Sequence, residues 1–72
     1  MTTQERLEHA LANPLTAGYV THAGHVMTAA ECESYNRYTS EAARPGISSR
    51  ARNFLLDQRQ RFFTSLCASH EG

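Results

Sequence analysis

The chain has no lysine, no tryptophan, and only two cysteines and two prolines among its 72 residues. Two cysteines permit at most one disulfide, too few for a stapled secreted framework. No uninterrupted run of large apolar residues exceeds Phe54-Leu55-Leu56, far short of the ~20 residues that span a bilayer. No N-terminal stretch reads as a signal peptide, so the expectation is a cytoplasmic protein with no membrane partner. Glycine-rich phosphate loops, internal repeats and low-complexity linkers are missing too.

Without lysine, every permanently cationic side chain is arginine, which suits planar, bidentate and stacked contacts at interfaces. A GC-rich genome produces the same bias, and a small arginine-only regulator would suit a phage or mobile element. Net charge is zero, but the halves differ. Residues 1–43 set five glutamates against Arg6 and Arg37, which is −3; residues 44–72 set five arginines against Asp57 and Glu71, which is +3. A basic half points to nucleic acid or an acidic partner, unless the two halves neutralise each other within the fold.

Size limits the core. A chain this short buries only about 60% of its unfolded surface, and its large apolar residues are few. Such a core usually needs a disulfide, a metal or a partner; the composition favours a partner. The expectation is one small helical domain over residues 1–72.

The order of elements follows from local signals. Thr2 with Glu5 makes a capping box for a first helix, whose Leu7, Ala10 and Leu11 form a docking edge before Asn13-Pro14 ends it. Residues 19–27 read as a small β-hairpin or loop. Gly24 would occupy the third loop position at positive φ, with Val20 opposite Val26 and Thr21 opposite His25. Thr28 and Glu31 cap a second helix that buries Cys32, Tyr35, Thr39 and Ala42, and Pro45-Gly46 stops it. Ser48 or Ser49 caps a long third helix running to about Ser69. The fold class is mainly α, with a short N-terminal helix, the hairpin or loop, then an αα-hairpin with a long C-terminal helix.

That last helix carries the strongest functional signal. At ~100° per residue, Ala51, Leu55, Phe62 and Leu66 form one apolar stripe, Leu56, Phe63 and Cys67 a second, and Arg52 and Arg59 fall in the seam between them. A helix that only covers a core keeps its charge on the opposite side. One stripe therefore reads as core and the other as a partner surface, with Arg52, Leu56, Arg59 and Phe63 as contact residues. Two copies pairing through Phe63 would make a homodimer.

Chemistry at single sites is poorly supplied. His22, His25 and Cys32, perhaps with Cys67, are the candidate metal ligands, but their spacing matches no zinc pattern. The expectation is no metal and no cofactor, with a zinc-stabilised small module as an alternative. Ser48-Ser49 reads as a helix cap rather than a nucleophile, and Glu31 and Glu33 face different directions on a helix. An enzyme is not expected.

Residues 38–55 resemble a helix-turn-helix DNA-binding motif. Ala42 takes the place of its small residue, Gly46 of its turn glycine, Ile47 of the aliphatic residue that follows, and Leu55 of its core anchor. Glu41, Pro45 and Arg52 depart from the pattern. The resemblance implies a recognition helix whose start presents Ser48, Ser49, Arg50 and Asn53 to base edges. Phe54, Phe62 and Phe63 among the arginines would suit base stacking, but at helical spacing phenylalanines more often form core or dimer packing, and so thin a core can hardly spare them. The leading expectation is a small non-enzymatic regulator or inhibitor that binds a protein partner through its C-terminal helix. A DNA-binding transcriptional regulator is the alternative.

Overall fold

Three helices make up the regular structure: α1 (Thr3–Ala12), α2 (Ala29–Ala42) and α3 (Ser49–Glu71). The computed structural model describes residues 2–71, with side chains described for residues 2–68. The chain is mainly α-helical, in the order expected from its local signals.

The helix starts are set by their caps. The Thr2 hydroxyl accepts from the Glu5 N–H at 3.2 Å while the Glu5 carboxylate accepts from the Thr2 N–H. Thr28 and Glu31 repeat the arrangement at α2. Each box satisfies two backbone donors that would otherwise lack partners. At α3 the Ser48 hydroxyl accepts from the Ala51 N–H at 3.1 Å.

Between α1 and α2 the chain makes a minimal hairpin. Val20 and Val26 form an antiparallel bridge. The Thr21 N–H donates to the His25 carbonyl at 2.9 Å, and the Met27 N–H to the Tyr19 carbonyl at 2.8 Å. Gly24 closes the loop at φ +88°, a conformation glycine adopts without steric cost. The register is the one the alternation predicts, but the apolar face points outward. Val20 and Val26 are each 57% exposed, whereas Thr21 is buried. The Thr21 hydroxyl accepts from the His25 N–H at 3.2 Å, so it enters the interior with its oxygen satisfied. Met27, only 1% exposed, is the side chain this segment contributes to the core.

α2 is the central element, with α1 and α3 both packed on it. Moving back along α2 means moving forward along α3. Thr39 meets Arg59, and one turn earlier Tyr35 meets Phe63. α2 and α3 therefore run antiparallel, side by side, and Tyr38 faces Phe62 in the same register. This is a helical hairpin rather than the ~90–120° crossing of a helix-turn-helix. The same register sets Cys32 and Cys67, both buried and both free thiols, at one level of the interface. At ~1.5 Å per residue, the 23 residues of α3 account for most of the molecule's 38 Å length.

Two packing expectations are corrected. Leu7 is buried, but Leu11 is 46% exposed, so α1 docks by one residue and not by an edge. The second concerns α3. Phe62, of the first stripe, packs on Tyr38, and Phe63, of the second, packs on Tyr35 and His22. Both stripes thus lean on the chain's own elements, because so thin a core leaves neither to spare. Asn36 adds a polar clamp, accepting from the Leu15 N–H at 3.1 Å and donating to the Leu15 carbonyl at 2.8 Å. It ties the segment after α1 to the middle of α2.

Candidate functional site

Six residues lie between the last residue of α2 and Ser49, and their turn shapes the surface at this end of the molecule. The Arg44 N–H donates to the Glu41 carbonyl and the Ile47 N–H to the Arg44 carbonyl. Gly46 passes through φ +81°. The turn leaves an open cleft of about 550 Å³ where α2 ends and α3 begins. Ile47, Ala51, Phe54 and Leu55 make its apolar part, and Glu41, Arg44 and Arg50 its charged rim. Phe54 is 62% exposed, the most exposed large apolar side chain among the described residues. It lies off both stripes of α3, on the helix face that carries Arg50, Asn53, Asp57 and Arg61, all exposed.

The four residues expected to bind a partner sit elsewhere. The Arg59 guanidinium donates to the Thr39 hydroxyl at 2.9 Å and lies over the Tyr35 ring, 4.9 Å from its centroid. Thr39, itself buried, passes the interaction on by donating to the Tyr35 carbonyl at 3.3 Å. Phe63 is held between Tyr35 and His22. Leu56 lines a crevice of about 220 Å³ between α1 and α3 together with Leu7 and Arg59. Arg52 is half-buried, and its Nε has no hydrogen-bond partner among the described residues. The structure brings Leu56 and Arg59 to one crevice but gives Arg59 and Phe63 work inside the fold. A dimer built on Phe63 would have to compete with that packing.

This placement changes the electrostatics of the basic half. Arg52 and Arg59 turn inward, and Arg61 pairs with Asp57 at 2.9 Å. The Glu71 side chain lies outside the described residues. Arg44 and Arg50 remain as the outward cations of the corner, and among the described residues no ion pair engages either. Glu41 stands beside them on the cleft rim. Two cations and a carboxylate make a mixed patch, weak for a phosphate backbone, whose binding grows with each phosphate neutralised. Ser48, Ser49, Arg50 and Asn53 are all exposed at the start of α3, as a recognition helix requires.

The candidate metal ligands are dispersed. His22 stacks on Phe63 with ring centroids 6.2 Å apart, and His25 Nε2 lies 3.0 Å from the Glu31 carboxylate. Cys32 is buried within α2. Among the described residues no three His, Cys, Asp or Glu side chains gather to hold an ion. The Thr28 N–H, then His25, hold the Glu31 carboxyl below its ordinary value. Burial, with Glu31 adjacent, pushes the Cys32 thiol up, which suppresses the thiolate a nucleophile needs. No helix of the described residues is long and apolar enough to cross a membrane.

Phe54 falls outside both apolar stripes at helical spacing, which is the sequence signal that sets it apart from Phe62 and Phe63. Compared with known proteins, the chain matches no family model, no curated protein and no solved structure.

Proposed function

We propose that this chain is a small regulator that works by contact rather than catalysis, docking a protein through the corner between α2 and α3. One observation carries the reading: an open cleft whose lip is a phenylalanine 62% exposed. A bulky aromatic beside a pocket, with arginines on the rim, has the residue types of an interface hot spot. The side chains with reactive chemistry support contact over catalysis, since Cys32 is buried and His25 and Glu31 engage each other. Two free thiols suit a reducing compartment such as the cytoplasm.

Duplex DNA is the second reading, favoured by the exposed Ser48, Ser49, Arg50 and Asn53. The mixed charge of the corner favours protein. A photo-crosslinking amino acid at position 54, used in the native host, tests the choice. A crosslinked protein identified by mass spectrometry, which when purified binds the chain and loses it on Phe54→Ser, supports the reading. Tight binding to duplex DNA at physiological salt, lost on Arg50→Ala with Phe54→Ser silent, overturns it.

A further inference from the structure

We propose that the protein docking at this corner is a second copy of the chain, in an antiparallel crossing of two α3 helices at Phe54. This rests on reading the corner as a protein-docking surface. The charges around Phe54 select the occupant. Arg50 lies four residues before it and Asp57 three residues after, about one helical turn on either side. All three side chains are exposed. When two identical helices cross antiparallel, the turn before the crossing point on one faces the turn after it on the other. Arg50 of each copy then meets Asp57 of its partner, twice, around a central pair of Phe54 rings.

A two-fold interface requires this kind of self-complementary patch, in which i meets j and j meets i. Each Phe54 also has a place to go, the apolar cleft of Ile47, Ala51 and Leu55 beside its counterpart. Asp57 is held by Arg61 of its own helix in the single chain, an exposed pair of the kind that yields readily. The contact is small. Standard interfaces bury about 800 Å² per partner, roughly a sixth of this chain's 4979 Å², and one helix crossing covers less. The dimer is therefore weak and concentration-dependent, with dissociation in the micromolar range or above.

Sedimentation equilibrium of the full chain, from micromolar to millimolar concentration, reads the result. Wild type should show a monomer–dimer equilibrium, and Phe54→Ser should weaken it by about tenfold or more, as loss of a central aromatic anchor does. Arg50→Glu and Asp57→Arg should each weaken the dimer by placing like charges together. The double variant R50E/D57R should restore it, which a merely structural role for either residue would not produce. Circular dichroism at each concentration checks that every variant keeps its helices. Wild type that stays monomeric at millimolar concentration, or a double variant no better than the singles, overturns the second copy as occupant. The protein-docking reading fails by a different result, a position-54 crosslink yield to the identified protein that Arg44→Ala/Leu55→Ser leaves unchanged.

Discussion

Arg59→Ala offers the sharpest check on how α3 is used, because the same residue type occurs two positions on in a contrasting setting. Arg59 donates a charge-assisted bond to a buried hydroxyl, an interaction of about 1.5–3 kcal/mol net. Its guanidinium also lies 4.9 Å over Tyr35, where a half-buried cation–π contact contributes about 0.5–2 kcal/mol. The two terms share one group and do not add fully, so the expected loss is about 2–3 kcal/mol. In a domain of this size that lowers Tm by about 8–24 °C. Arg61 instead pairs with Asp57 on the surface, and Arg61→Ala should cost only about 0.3–0.5 kcal/mol. Arg59→Met, which keeps the packing stem and discards the charge, should fall between. Urea unfolding followed by circular dichroism at 222 nm, a standard helix wavelength, gives the free energies. Equal effects at positions 59 and 61 would refute the reasoning, because Arg59 would then be another solvated charge.

Other consequences of the packing are testable in the same way. Leu7 is the one buried side chain of α1, so Leu7→Ala should cost about 2–3 kcal/mol and release the α1 amides to rapid hydrogen exchange, since a helix of three turns does not persist alone. The Glu31 carboxyl is held low by the Thr28 N–H and then by His25. Its contribution is therefore present above the unfolded value, about 4.3, and is lost as pH falls through the lower folded one. Glu31→Gln should be less stable than wild type near neutral pH, and the gap should close in acid; a gap independent of pH would contradict this. Cys32 and Cys67 are buried, so a thiol reagent such as DTNB should label neither quickly until denaturant is added.

How much of this was legible in the sequence depended on how local each feature is. The capping boxes at Thr2 and Thr28, the Val20–Val26 pairing and the positive φ of Gly24 each involve residues within a few positions of one another. Local chemistry decides them, and they were readable. The direction of the hairpin was not. Alternation says that Val20 and Thr21 face opposite ways, but which side turns inward depends on what α2 and α3 present to it. The Thr21 hydroxyl settles the matter by accepting from the His25 N–H, a turn contact that hydrophobicity does not register. Asn36 is a similar case, since nothing in its neighbourhood of sequence announces a clamp on Leu15, twenty-one residues away.

The arginines of α3 show what periodicity alone leaves open. Two apolar stripes around a charged seam can mean a core side and a partner side, or a single wide face whose middle is cationic. The second arrangement is stable only if the opposing helix supplies acceptors and ring faces along the contact line. α2 does so for Arg59 with Tyr35 and Thr39, one turn apart and both turned toward α3, while the Arg52 Nε has no such partner among the described residues. The seam then becomes the centre of the intramolecular contact, and both stripes are drawn into the fold. Outside both stripes stands Phe54, the centre of the proposed docking surface. It lies off the stripes that pack on α2 and is largely exposed, with Arg50 about one turn before it and Asp57 about one turn after. A thin core thus accounts for the inward arginines and for the outward phenylalanine together, since α2 offers one contact line and α3 has three faces.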